Sequence, residues 1–235
     1  MAEGVDVVRC GLDAGFVPES VYVADGAGAD RDVAALSADT LARGSRVFPL
    51  APGVADRVAD TVTPHPVFGI FAMTDIVLAG VASPSLVVAC VDVRDPGNAG
   101  SVLRTCDAAG VDLVLWCGAT VDPFNPKTVR SSAGSIFHVP LVVTAEVGPA
   151  MDWLRACGLA VYGADARGAD YASLDLSTPC AFVLGNEAAG LDAGLLSSLD
   201  GAVGIPMAGR AESLNVGVAC AVLCFEARRQ RRGGG

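Results

Sequence analysis

Three short polar islands, each placed where an apolar run ends, constrain the fold of this chain more than any other feature. Leu86-Val-Val-Ala-Cys-Val91 leads into Asn98-Ala-Gly-Ser-Val-Leu-Arg104. Further on come Leu184-Gly-Asn-Glu-Ala-Ala-Gly190 and Ile205-Pro-Met-Ala-Gly-Arg-Ala-Glu-Ser-Leu-Asn-Val216. Each island puts glycine and a few polar side chains where a strand should stop. In open α/β sheets ligands bind there, outside the carboxyl ends of the strands.

The pattern around the islands agrees. Apolar runs at 86–93, 112–116, 138–143, 159–163, 180–184 and 202–206 read as strands. They alternate with helical spacing at 98–109, 127–133, 146–157, 192–199 and Ser213 to about Arg229. Strands alternating with helices predict an α/β fold with a mostly parallel sheet covered on both faces. The last helix is apolar almost all round, through Leu214, Val216, Val218, Val222, Leu223 and Phe225, and is expected to be buried. Arg228, Arg229, Arg231 and Arg232 suit its C-terminus electrostatically, with an RNA contact as the alternative. Upstream, Val5–Val8, Ser20–Val23, Arg46–Leu50 and Gly69–Met73 read as strands and Arg31–Ala42 as a helix. The prolines of Thr63-Pro-His-Pro66 demand an extended or turned segment. Residues 1–74 thus form a small α/β domain, 75–85 a linker, and 86–235 the main domain.

Composition narrows the function. The chain has 235 residues, is 52% hydrophobic and only 18% charged, which excludes a disordered protein. The longest apolar stretch, Ile76 to Val91, is broken by Ser83-Pro-Ser85, so no membrane span is expected. Glu3 and Asp6 stand where a signal peptide would carry basic residues, and a cytoplasmic location is expected. Eight cysteines without a Cys-x-x-Cys pair, and only two histidines, His65 and His138, give no metal constellation; the thiols are expected to be reduced and buried. Net charge is −10, against a general polyanion binder, though local segregation of charge still permits RNA. No Gly-x-Gly-x-x-Gly and no P-loop occur, which disfavours a NAD enzyme or a nucleotide triphosphatase.

The islands resemble the motifs of the SpoU (TrmH-type) branch of the SPOUT RNA methyltransferases. Asn98, Gly100 and Arg104 match Asn-x-Gly-x-x-x-Arg, and Gly185, Glu187 and Gly190 match Gly-x-Glu-x-x-Gly. Ile205, Pro206, Met207, Gly209, Ser213, Leu214, Asn215 and Val216 match the third motif. Asp122-Pro-Phe-Asn-Pro-Lys-Thr-Val-Arg-Ser-Ser-Ala-Gly134 resembles a segment of ribosomal-RNA-type members. The resemblance covers about 84–235. It implies a C-terminal trefoil knot, which periodicity alone would reject, a homodimer through the knot region, and active sites near the interface. The N-terminal part resembles a small L30e-like RNA-binding domain. Glu3-Gly4-Val5 resembles the start of its first strand, which family members precede with a helix that is missing here.

The implied reaction transfers a methyl group from S-adenosylmethionine to a ribose 2′-hydroxyl of RNA, most often ribosomal RNA, without a metal. Alternatives are a transfer RNA substrate, or a non-catalytic RNA-binding or ribosome-assembly protein on the same fold. Arg104 is implied to position the ribose and phosphate and to stabilise the developing alkoxide, a neutral guanidine base being costly. Asn98 orders the catalytic loop or caps its helix, and Glu187 orients Asn or Arg partners. Ser213 and Asn215 open the last helix beside the site. The cofactor would lie on Leu184, Gly185, Asn186, Ile205, Met207, Gly209, Ser213 and Leu214, largely through backbone groups. Arg130, Ser131 and Ser132 are candidates for contact with RNA or with the methionine end of the cofactor, a loop merely capped by serines being the alternative, and His65 is a candidate for RNA contact.

Overall fold

The computed structural model describes residues 1–59 and 65–232. Two sheets organise it. The larger contains β5 (Leu86–Val91), β6 (Leu113–Cys117), β7 (Leu141–Thr144), β8 (Ala160–Asp170), β9 (Cys180–Leu184) and β10 (Gly201–Gly204). Their order is β10-β8-β9-β5-β6-β7, with every pair parallel. Parallel strands buried on both faces need uninterrupted apolar sequence, which explains why Leu86–Val91 and Cys180–Leu184 do not alternate with polar residues. Val88, Cys90, Trp116 and Phe182 pack into one core, which receives α4 (Pro96–Ala109) and α8 (Val216–Arg232) through Val102, Leu103, Leu223 and Cys224. Val87, Ala89, Leu115 and Val183 face the other way, against Met151 and Leu154 of α6 (Val147–Ala156) and Leu195 of α7 (Ala193–Ser198).

The smaller sheet contains β1 (Ala2–Glu3), β2 (Ser20–Val23), β3 (Arg46–Pro49) and β4 (Val67–Ile70) in the order β1-β4-β2-β3, with only β2 and β3 parallel. Residues 5–8, read as a strand, lie instead in α1 (Val5–Asp13). Three valines favour a strand locally, but Val8 and Leu12, four apart, are both buried, with Val7 and Gly11 beside them. That i, i+4 spacing overrides β propensity. The expected strand at 69–73 begins earlier, at Val67. Of the Pro-rich segment, Thr63 and Pro64 lie outside the described residues. α2 (Arg31–Ala42) keeps its expected bounds, capped by Asp30, whose carboxylate accepts from the N–H groups of Asp32 and Val33, and a short α3 (Val54–Val58) follows β3.

The two sheets meet in a shared core. Phe137 contacts both Phe16 and Phe71, at centroid distances of 5.7 and 4.8 Å. Beside these rings, Arg130 of α5 (Pro126–Ser131) pairs with Glu3 at 3.1 Å, and the Glu3 side chain is only 1% exposed. Arg130 is therefore engaged in joining the sheets. Arg130→Ala removes a charged partner from a buried carboxylate and should cost about 1–3 kcal/mol, read as a lowered denaturant midpoint.

The thiols are all free, with six buried and Cys10 and Cys157 half-buried. Burial pushes Cys106 up to about 11, leaving a protonated, unreactive group. Helix α8 corrects one expectation. Cys220, Leu223, Cys224 and Ala227 are buried, but Val218 and Phe225 remain about half exposed, at 48% and 50%. Two of its arginines serve the fold: Arg229 pairs with Glu226, and Arg231 donates to the carbonyls of Ser85, Leu176 and Thr178.

Candidate active site

The later parts of β8, β9 and β10, with the loops that follow β9 and β10 and Asn98 of α4, surround a cleft of about 320 Å³. It lies where the chain, having added β6 and β7 on one side of β5, returns to build the other side. This is the switch-point position at which open α/β sheets bind ligands. The cleft gathers Asn98, Leu184, Gly185, Asn186, Glu187, Ile205, Met207, Ser213, Leu214 and Asn215 from the three islands.

A directed hydrogen-bond chain joins the islands. Gly217 N–H donates to Asn215 Oδ1 (2.9 Å), Asn215 Nδ2 donates to Asn98 Oδ1 (2.7 Å), and Asn98 Nδ2 donates to Glu187 Oε1 (3.1 Å). The chain runs from the N-terminus of α8 to a carboxylate. Each amide must donate on one side and accept on the other, which Asn can do and Asp cannot. Glu187 also takes the backbone N–H groups of Asp95 and Arg94, at 3.0 and 3.3 Å. Asn186 braces the same loop, donating to the Asp92 carbonyl and accepting from Ala188 and Ala189 N–H.

Burial by itself would raise the Glu187 pKa, but the Asn98 amide and the backbone donors outweigh it and hold the carboxyl below its ordinary range. A depressed carboxylate contributes stability that is fully present above the unfolded value of 4.5 and is lost as pH falls through the folded value. The cleft should therefore keep its geometry across neutral pH and loosen only below about 4.5. Cofactor affinity measured against pH checks this.

Local sequence explains the anchoring. Asp95, not Asn98, caps α4: its Oδ1 accepts from Asn98 N–H at 2.8 Å, and Pro96 occupies the first turn, where its missing N–H costs nothing. This frees the Asn98 side chain for the cleft. At α8 the cap is Asn215, while Ser213 lies before the helix in the cleft lining. Gly185 is obligatory for space, because a Cβ there would overlap the Gly190 carbonyl and the Leu191 nitrogen. Gly185→Ala should abolish cofactor binding in calorimetry while far-ultraviolet circular dichroism stays unchanged.

Other expected site residues lie elsewhere. Arg104 sits on α4 six residues beyond Asn98, exposed, outside the cleft lining and bonded to nothing among the described residues. Gly209 is also outside the lining. Ser132 is fully buried and donates to Val129, so it cannot reach RNA. Ser131 is turned onto carbonyls of its own helix and Pro96. His65 is exposed beside Gly4, in the smaller sheet's region. His138 pairs with Asp107 at 2.9 Å, away from the cleft lining.

Ala164, Asp165, Ala166 and Glu212, none of them in the positions expected from sequence, also line the cleft. The first three belong to a bulge: Gly163 pairs with Ala202 and Ala169 with Val203, so five residues of β8 bypass β10. The charged Asp165 and Arg167, which interrupt a run of small residues in β8, are the available signal.

Residues 85–225 match the model of the SpoU rRNA methylase family. The chain belongs to that family. It is 41% identical over 189 residues to the 23S rRNA (guanosine(2553)-2′-O)-methyltransferase RlmP of Bacillus subtilis, covering 80% of this chain and 75% of the relative. It is 40% identical over 154 residues to a tRNA (guanosine(18)-2′-O)-methyltransferase of Thermus thermophilus, covering 63% and 76%. Its fold is similar to that of an AdoMet-bound rRNA methyltransferase from Sinorhizobium meliloti, with a TM-score of 0.84 and 35% identity over 97% of this chain and 85% of that one. Membership gives the three islands a common purpose: the SpoU motifs are the pieces that the hydrogen-bond chain ties together.

Proposed function

We propose that this SpoU-family chain is an S-adenosylmethionine-dependent methyltransferase acting on the 2′-hydroxyl of a ribose in ribosomal RNA. The observation that carries it is the Glu187–Asn98–Asn215 chain, which holds all three family motifs around one cleft. The cleft fits the cofactor. Its volume is within the small-ligand range of roughly 300–1,000 Å³, and Gly185 lets the backbone itself approach a ligand. Leu184, Gly185, Asn186, Ile205, Met207 and Leu214 would hold the nucleoside, with Gly209 shaping the loop and Ser213 beside it.

S-adenosylmethionine held there would supply an electrophilic methyl group on a positively charged sulfur; the 2′-oxygen would bond to its carbon as the carbon–sulfur bond breaks, with the hydroxyl proton passing to solvent. Arg104 stabilises the oxygen as its charge grows and holds the neighbouring phosphate, a task suited to a planar, permanent cation. Asn98, Asn215 and Glu187 fix the loop against which the ribose is aligned.

The exposed position of Arg104 supports a homodimer in which Arg104 of one chain serves the cleft of its partner. The apolar stripe of Val218, Val222 and Phe225 on α8 offers the pairing surface. Light scattering should give twice the chain mass; a monomer that methylates would contradict the pairing. Residues 86–235 are assigned as a knotted catalytic domain and residues 1–74 as an L30e-like RNA-binding domain, joined by 75–85. The cytoplasm is the compartment in which such an enzyme meets RNA; among the described residues no helix is long and apolar enough to cross a membrane.

Ribosomal RNA is favoured over transfer RNA by the extent of likeness. The alignment with the 23S enzyme spans 189 residues, which must include part of the smaller sheet's region, whereas that with the transfer RNA enzyme spans 154. Labelled S-adenosylmethionine incubated with unmodified ribosomal RNA and with transfer RNA transcripts tests the choice. Label in ribosomal RNA alone is expected; label confined to transfer RNA would reverse it.

A further inference from the structure

A continuous row of side chains crosses the smaller sheet on the face opposite Val21 and Val23. Glu3 on β1 stands opposite Phe68 on β4, Phe68 opposite Tyr22 on β2, and Tyr22 opposite Phe48 on β3. The inner end is closed: Glu3 is held by Arg130 of α5, and Phe68 is 1% exposed. The outer end is open. Tyr22 is half-buried, and Phe48, on the outermost strand, is 39% exposed.

The Tyr22 and Phe48 rings are stacked, with centroids 5.5 Å apart and planes at 27°. The Arg46 guanidinium lies 5.6 Å from the centre of the Phe48 ring. Arg46 is exposed and has no carboxylate partner among the described residues. A cross-strand aromatic pair also steadies a sheet. That role does not call for a solvent-facing ring on an edge strand with a planar cation above it that no carboxylate holds. Aromatic faces combined with arginine are how proteins hold unpaired bases without reading their sequence.

We propose that Tyr22, Phe48 and Arg46 form a stacking platform for one unpaired nucleobase of the RNA substrate, with Arg46 taking the adjoining phosphate. This rests on the reading of the chain as an RNA methyltransferase and adds a contact remote from the catalytic cleft. The occupant follows from the chemistry: a flat π-surface and a cation without a carboxylate partner match a base and its phosphate. Stacking also suits a chain of net charge −10, which cannot rely on general attraction for a polyanion. With strands spaced by about 4.8 Å, Phe48 lies roughly 14 Å from the β1–α5 junction. Helix α5 packs on α4, which carries Arg104, so a short single-stranded stretch would connect platform and reaction site.

The test uses the full chain and a short unstructured oligouridine containing one 2-aminopurine, whose fluorescence is quenched by stacking. The unaltered protein should bind it with quenching. Phe48→Leu keeps apolar volume but removes the π-face, and should weaken binding by roughly five- to a hundredfold and abolish the quench. Phe48→Tyr should restore both. Arg46→Gln should weaken binding and flatten its salt dependence by about one phosphate contact. S-adenosylmethionine affinity, measured on each variant by calorimetry, should not change. Binding of Phe48→Leu equal to that of the unaltered chain would reduce the pair to sheet packing and overturn the platform alone. Cofactor binding without any oligonucleotide binding or methyl transfer to RNA would overturn the platform together with the RNA reading.

Discussion

Arg104→Ala is expected to lower methyl transfer by about 10²- to 10³-fold, the scale on which removing one preorganised charge-stabilising donor acts, and to leave cofactor affinity and thermal stability unchanged. The structure makes this separation sharp. Arg104 is exposed, outside the cleft, and engaged with no other group among the described residues, so nothing in the fold depends on it. Arg104→Lys should recover little, because a point charge cannot hold ribose oxygen and phosphate in one plane. If two chains share each site, mixing Arg104→Ala with a cleft variant such as Gly185→Ala should restore part of the activity, since mixed dimers contain one intact pairing. No recovery on mixing would place Arg104 and the cleft in the same chain.

Asn98→Asp is expected to be more damaging than Asn98→Ala. Alanine breaks the chain between Asn215 and Glu187 and leaves the remaining Glu187 bonds to the Asp95 and Arg94 backbone in place. Aspartate puts a second carboxylate against Glu187, which accepts from Asn98 at 3.1 Å. Like charges at that distance repel, and one carboxyl takes a proton or the loops part. A displacement of about 1 Å at a reacting centre can cost some 100-fold in rate, so turnover should fall by about that much, with a poorer cofactor affinity that improves as pH is lowered toward 5. For Asn98→Ala the affinity should be independent of pH in that range. Equal behaviour of the two variants would show that the side chain at 98 merely fills space.

Much of the larger sheet was legible because its strands are buried on both faces and must therefore be written as unbroken apolar runs, as in Leu86–Val91. The islands were legible because glycine and amides interrupt those runs at strand ends. Capping was harder to read. Asp95, Asn98, Ser213 and Asn215 are all cap-forming types, and only three-dimensional partners decide that Asp95 and Asn215 cap while Asn98 and Ser213 face the cleft. Residues 5–8 failed because three valines looked like a strand, when the spacing of Val8 and Leu12 fitted a helix packed on a sheet. Arg130 and Ser132 stood as candidates for RNA contact in a segment, 122–134, that resembles ribosomal-RNA-type members. The fold uses one to join two sheets and buries the other. The β8 bulge that brings Asp165 to the cleft depends on register against β10, which one strand's sequence does not contain.

The chemical position of the transferred methyl decides whether the cleft methylates ribose. Ribosomal RNA labelled by the enzyme from S-adenosylmethionine should be digested with alkali, which cleaves only where a 2′-hydroxyl is free. The label should be recovered in alkali-resistant dinucleotides, and Arg104→Ala should yield about 10²- to 10³-fold less of it. Label recovered in ordinary mononucleotides, as a methylated base, would contradict it.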